Sequence, residues 1–340
     1  MARNMTILIS KVNQLGDNVV FLPVVQHLCQ ALPSARIVVV TSPGVRELYE
    51  RCTPAVEVLT STTAEFNKAW ASPIRLLQLI RAWRAQRPDA VLLGDDQGNV
   101  AHVLAACSGA AQIVGPLNTR LPANRLVRHR VALDLNTLVA HQNWKILRGL
   151  GAVLPVAIPD LPPPPDLSAM VAPEAPTRDV VIHAGASRSY KRWLPDRYVA
   201  LANHLVAQGH RVAWIDQGMG ETESQLNHRI ERIKPGTLSE LVSLLAKARL
   251  FVGNNSGPMN IASALGVPGV IFNGPSTANW DPAWHRERFT LLSDPALSCQ
   301  PCDQLTHPVN MCQNVSEPMA CMKRWDVAKV AAICEQKLRD

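Results

Sequence analysis

The residues that decide the fold are the first to be met: Ile7-Leu8-Ile9-Ser10, then Leu15-Gly16-Asp17, then the run from Val19 to Leu32, then Arg36-Ile37-Val38-Val39-Val40. A short apolar run reads as a strand, the longer amphipathic run as a helix, and the second β-branched run as another strand. Strand, helix and strand in direct succession make a βαβ opening, which implies a parallel sheet. Farther on, Ala90 to Leu93 reads as a strand bounded by Gly94, Val100 to Cys107 as helix and Gln112 to Val114 as extended chain.

The pattern then breaks. Eight prolines fall between Leu154 and Pro176, four of them consecutive at Pro162 to Pro165. Proline denies the backbone both a helix interior and a central strand, so 156–177 reads as an interdomain linker. Beyond it the same grammar restarts. Asp179 to His183, Arg211 to Ile215, Leu250 to Gly253 and Gly269 to Phe272 read as strands; Pro195 to Ala207 and Leu238 to Lys247 read as helices. The expectation is α/β, GT-B type: two Rossmann-like domains, 1–155 and 178–340, with parallel sheets facing a central cleft, since open α/β sheets bind ligands at strand C-terminal ends.

Composition agrees with two globular domains. The chain has 340 residues, 47% hydrophobic and 18% charged, ample for buried cores and against global disorder. No apolar run approaches the roughly 18 to 20 residues of a membrane helix, and the opening run is too short for a secretory signal. We expect a soluble, cytoplasmic protein. The net charge of +7 is concentrated in the first half, where residues 1–160 hold 16 Lys and Arg against 10 Asp and Glu. The excess is arginine: Arg75, Arg81, Arg84 and Arg87, then Arg120, Arg125, Arg128 and Arg130. Such a surface suits an anionic partner, although solvated helix faces give the same composition. No aromatic platform accompanies the arginines, which argues against nucleic acid.

Cys299, Cys302, Cys312 and Cys321 form C-x2-C-x9-C-x8-C. Without a secretory signal, four thiols at this spacing favour a structural Zn or Fe ion over disulfides, with free thiols as the remaining reading. Cys29, Cys52 and Cys107 stand alone in apolar surroundings and read as core.

Two loops carry the chemistry. Asn254-Asn255-Ser256-Gly257-Pro258 joins a strand to a helix; Asn255 or Ser256 can cap that helix, and the N–H groups and positive dipole end favour an anion such as phosphate. Ala184-Gly185-Ala186-Ser187-Arg188-Ser189-Tyr190-Lys191-Arg192 also follows a strand and holds three cations. Neither a Walker pattern nor G-x-G-x-x-G is present, yet two such loops on neighbouring strand ends suit a diphosphate. Asp17 tops the first strand, where it can cap the helix starting at Asn18 or act as a general base.

These residues together resemble family 9 glycosyltransferases, the heptosyltransferases of lipopolysaccharide inner-core assembly. The likeness runs from about Thr6 to Cys334. It rests on Leu15-Gly16-Asp17-Asn18-Val19-Val20, on His183 to Ser187 with Lys191-Arg192-Trp193, on Gly253-Asn254-Asn255-Ser256-Gly257-Pro258-Met259-Asn260, on Gly274-Pro275 and on Cys321-Met322. The chain departs from the signature at Asn255, where the family carries Asp, and at Asn260, where it carries His.

The resemblance implies inverting transfer of a sugar, typically heptose from ADP-heptose, to a hydroxyl of an anionic glycolipid at the inner face of the membrane. It assigns Asp17 as base and Lys191 as the cation opposite the leaving diphosphate. Ser187, Arg188, Lys191, Asn255, Ser256, Gly257 and Asn260 become donor-binding residues, with Arg120 and Arg125 for the acceptor. No cofactor is implied for catalysis. Rival readings are a sugar-nucleotide epimerase, a non-catalytic nucleotide-sugar binder, and a transferase acting on a protein or small metabolite.

Overall fold

The computed structural model describes residues 4–154, 156–216, 221–304 and 309–339. The chain divides into two compact units, 1–169 and 170–340.

The first unit runs β1 (Thr6–Lys11), α1 (Leu15–Ala31), β2 (Arg36–Thr41), α2 (Arg46–Cys52), β3 (Glu57–Thr60), α3 (Thr63–Ala69), α4 (Pro73–Ala85), β4 (Ala90–Leu93), α5 (Asn99–Cys107), β5 (Gln112–Pro116), β6 (His129–Val131) and α6 (Val139–Gly151). The six strands are parallel in the order β3-β2-β1-β4-β5-β6. The order reverses between β1 and β4, and the crevice outside the strand ends at such a reversal is where doubly wound sheets bind ligands. Every residue of β1 is buried, as a central strand covered on both faces requires. Helix α1 is not amphipathic as expected: Asn18 to Val25 are buried without interruption, because α1 packs against α6 as well as the α2 side of the unit.

The second unit repeats the plan with β7 (Arg178–His183), α7 (Pro195–Ala207), β8 (Val212–Ile215), α8 (Glu221–Ser224), β9 (Glu231–Ile233), α9 (Leu238–Ala246), β10 (Ala248–Asn254), α10 (Gly257–Ala264), β11 (Gly269–Phe272), β12 (Phe289–Leu292), α11 (Ala320–Lys323) and α12 (Val327–Arg339). Its strands, again parallel, lie in the order β12-β11-β10-β7-β8-β9, so the reversal falls between β7 and β10. Gly253 permits that pairing: a Cβ there would come within 2.7 Å of the Phe251 ring and 3.0 Å of the His183 carbonyl. One face of the sheet is filled by an aromatic cluster, Trp193 stacked on Phe272 at 4.2 Å with the Tyr198 ring edge-on at 4.9 Å.

The proline-rich segment is no free spacer. Its first half is docked on the first unit: the Trp144 indole donates to the Pro159 carbonyl at 2.7 Å, and the Gln26 side chain exchanges hydrogen bonds with the Asp166 backbone. Its second half is docked on the second unit, where the Ser243 hydroxyl donates to the Met170 carbonyl and accepts from the Ala172 N–H. The boundary between units, at Ala169 and Met170, lies inside 156–177. Proline explains why: a chain already extended loses little entropy on docking. Cys29, Cys52 and Cys107 are half-buried rather than fully in the core.

Candidate functional site

In the first unit the reversal between β1 and β4 holds a network of charge. Lys11, the last residue of β1, is fully buried, and its ammonium is paired with Asp95, just past β4. Its side chain crosses Gly94, where a Cβ would lie 2.7 Å from Lys11 Cδ. Burial alone would pull the Lys11 amine down; Asp95 first, then Asp17 and Asp96, outweigh it and hold it above the usual lysine range. Gln97 stitches the loops together, its carbonyl accepting from the Ser10 hydroxyl at 3.0 Å and its amide donating to Asn13 at 2.6 Å.

Asp17 stands in this network. It does not cap α1: the helix begins at Leu15 after the cap residue Gln14, which places Asp17 in the first turn. The dipole favours a carboxylate there, but burial raises its pKa to about 6, with Asp95 and Asp96 adding and Lys11 opposing. The neighbouring Asn18 fixes the turn. Its amide donates to the Asn13 and Gln14 carbonyls, and its oxygen accepts from Thr41 and Tyr49 at 3.0 and 2.7 Å. A partly buried carboxyl titrating near neutrality has the character of a general base. Arg120 and Arg125 are exposed on the segment after β5, shaped by Asn124, which donates to the Pro116 carbonyl.

In the second unit the loops after β7 and β10 come together at the other reversal, as their neighbouring strands require. Asn254 joins them: its amide donates to the Ala184 and Gly185 carbonyls at 2.9 and 3.0 Å, and its oxygen accepts from the Trp193 N–H and the Tyr198 hydroxyl at 2.9 and 3.0 Å. The Arg192 guanidinium closes the loop onto the Ala186 carbonyl. Ser187 and Arg188 are exposed on its crest.

No side chain caps α10, contrary to the capping expected of Asn255 or Ser256. The Ser256 hydroxyl donates to the Asn254 carbonyl. The Asn255 amide donates to Asn273 at 2.6 Å and to the Trp280 carbonyl at 2.9 Å. That pairing accounts for asparagine at this position, since an ionised aspartate can only accept. The start of α10, around Gly257, thus keeps its dipole end for an anion. Asn260 is buried and its amide turns back to the Ser256 carbonyl at 3.4 Å, so it is a helix residue rather than part of the exposed loop surface.

Lys191 is paired with Asp303. Asp303 belongs to the cysteine-rich segment, which is sewn to the same region: its N–H donates to the Pro275 carbonyl, Gln300 donates to the Gly274 carbonyl, and the Tyr190 hydroxyl donates to the Val309 carbonyl. Among the described residues, no three or more His, Cys, Asp or Glu side chains converge as a metal-ligand group. The thiols nevertheless act on one another. Burial first, then the neighbouring Cys302, Cys312 and Cys299, together raise Cys321 to about 12. Two sulfurs receive N–H donors, Cys312 from the Met319 backbone at 3.2 Å and Cys299 from the Asn314 amide at 3.5 Å. Cys312 also donates to the Asn314 carbonyl at 3.9 Å; a metal-bound sulfur would keep the N–H donors and lose that proton.

Each unit thus gathers its charged and loop residues at its own sheet reversal, and comparison with known proteins gives the family. The chain belongs to glycosyltransferase family 9 (heptosyltransferase), whose sequence pattern it matches over residues 77–312. It is similar to lipooligosaccharide heptosyltransferase 2 of Campylobacter jejuni, 28% identical over 141 residues, 38% of this chain; the match spans 43% of that relative's length. Among solved structures it resembles E. coli heptosyltransferase WaaC with ADP (TM-score 0.72, 17% identity, 98% of this chain and 100% of that one). It also resembles the iron-containing dodecameric glycosyltransferase TibC of enterotoxigenic E. coli (TM-score 0.63, 18% identity, 99% of this chain and 76% of that one). These likenesses show the fold, which is the GT-B type.

Proposed function

We propose that this protein is an inverting glycosyltransferase that moves a sugar, heptose from ADP-heptose, onto a hydroxyl of an anionic acceptor such as the lipopolysaccharide inner core. The observation that carries the reading is that each unit places its candidate chemistry at its own sheet reversal: a carboxyl of raised pKa in the first, a cation-bearing loop beside an uncapped helix start in the second. The names of the relatives, one of them solved with ADP, support the donor class.

In this reading Asp17 accepts the proton of the acceptor hydroxyl as its oxygen attacks the anomeric carbon from the face opposite the diphosphate, which inverts configuration. Lys191, Arg188, Ser187 and the backbone at Asn255 to Gly257 bear the negative charge that develops on the leaving phosphate. Asn260 is withdrawn from this set, because its side chain is engaged within α10. Arg120 and Arg125, on the same unit as Asp17, face the acceptor's anionic groups. Asn255 in place of aspartate lowers the negative charge beside the diphosphate and leaves the choice of nucleotide to the rest of the pocket.

Cys299, Cys302, Cys312 and Cys321 are the residues that would hold Zn or Fe, and the N–H donors on two of the sulfurs support this. Such an ion would fix the segment carrying Asp303; it has no role in the chemical step. Metal analysis of purified protein tests it, and fewer than one equivalent bound per two chains after reconstitution excludes a structural role.

Thermal shift with ADP-, GDP-, UDP- and dTDP-linked ligands tests the donor, since preferential binding to the native state raises the melting point. ADP-heptose should give the largest rise, and ADP release should require an acceptor. Release with no acceptor, or a larger rise with UDP-sugars, overturns the assignment.

A further inference from the structure

Helix α4 is apolar on two sides, and only one of them has a core to meet. Leu76, Leu79, Ile80 and Trp83 pack inward against the first unit's core. At the 3.6-residue period of a helix, Ile74 and Leu77 fall on the opposite face. They are 70% and 51% exposed, and Trp70, at the end of α3 just before α4, is 55% exposed. Ile74 and Leu77 lie one turn apart on α4, and Trp70 precedes Ile74 by four residues across the turn that joins α3 to α4; large apolar side chains grouped in water in this way mark a contact surface.

The charge around the patch says what it meets. Arg81 follows Leu77 by one turn on the same face, Arg84 and Arg75 flank it, and Arg87 and Lys68 lie just beyond; all five are exposed. No Asp or Glu occurs from residue 66 to 88. The nearest carboxylate, Glu65, acts on Arg75 but is already engaged by Thr62 and Ser61. Helix α5 packs against both α4 and the turn of Pro122 to Leu126, where Arg125 is exposed and Leu126 is 39% exposed. A tryptophan and aliphatic side chains rimmed by arginines are the composition of an element that lies in the headgroup layer of an anionic bilayer.

We propose that the outer face of α4, with Trp70, docks the first unit on an anionic lipid bilayer. The apolar side chains enter the headgroup boundary and the arginines pair with lipid phosphates. This holds whichever acceptor or donor the protein uses.

Co-sedimentation of the full chain with vesicles of phosphatidylcholine, with and without phosphatidylglycerol, tests it. Binding should be at least about tenfold stronger to the anionic vesicles and weaken as salt is raised. W70A/I74S/L77S and, separately, R81A/R84A should each lower partitioning by about tenfold or more, with unchanged circular dichroism and melting temperature because all five sites are exposed. Equal binding by the wild type and both variants, or no binding to anionic vesicles, overturns the proposal. So does a triple variant that loses self-association in gel filtration while keeping its vesicle binding, which would make the patch a protein contact.

Discussion

The ammonium of Lys191, on the loop after β7, is held by the carboxylate of Asp303, on the cysteine-rich segment 112 residues farther along the chain. In the proposed function, a diphosphate arriving at this loop competes with Asp303 for the same cation and meets its negative charge. Asp303→Asn should tighten ADP binding by about threefold to tenfold, the size expected of one partly screened charge. Lys191→Met should weaken it by more than that. Isothermal titration with ADP distinguishes the two, and looser binding by Asp303→Asn would show that the ion pair positions Lys191 instead of occupying it.

Asp17→Asn should lower turnover by about two to four orders of magnitude, the usual worth of a general base, with little change in ADP affinity. Near-normal turnover would remove Asp17 from the mechanism.

The raised pKa of Asp17 has two readable consequences. With Asp17 as the proposed base, kcat/KM for the acceptor should fall as pH drops through about 6. Asp96, exposed and electrostatically coupled to Asp17, raises that pKa; Asp96→Asn should move the acidic limb down by a few tenths of a pH unit. Stability runs the opposite way. A carboxyl whose folded pKa lies above its unfolded value favours folding while protonated, and that contribution is lost as pH rises through about 6. Asp17→Asn should then be the more stable protein at pH 7.5, by about 2 kcal/mol, and lose that advantage near pH 4. Thermal melts at the two pH values check the sign.

Restoring the family's residue with Asn255→Asp should destabilise the second unit by roughly 1 to 3 kcal/mol, since the Trp280 carbonyl would lose a donor and face a carboxylate. Chemical denaturation measures the loss, and ADP titration should show weaker binding as well.

The parts of the fold legible in the sequence are those fixed locally. β4, β11 and α7 have the bounds expected of them, because an apolar run between breakers, or a helix opened by Pro195, carries its own signal. The edge strands β3, β6 and β9 were not, since Glu57–Thr60, His129–Val131 and Glu231–Ile233 are short and polar. The site divides in the same way. Asp17 and the loops at Ser187 and Asn255 follow strands and announce themselves. Their supports do not: Lys11 meets Asp95 across 84 residues, and Asn254 meets Ala184 across 70. A charged residue ending an otherwise apolar strand, as Lys11 does, was the available hint.

With both donors and both acceptor contacts of Asn254 spent on Ala184, Gly185, Trp193 and Tyr198, the loop after β7 is set in shape when the domain folds. On the proposed reading little ordering is left to be done when a nucleotide arrives, so the full favourable heat of phosphate contact is available to affinity. Discrimination among nucleotides must then come from the rim, where side chains are still at liberty to choose.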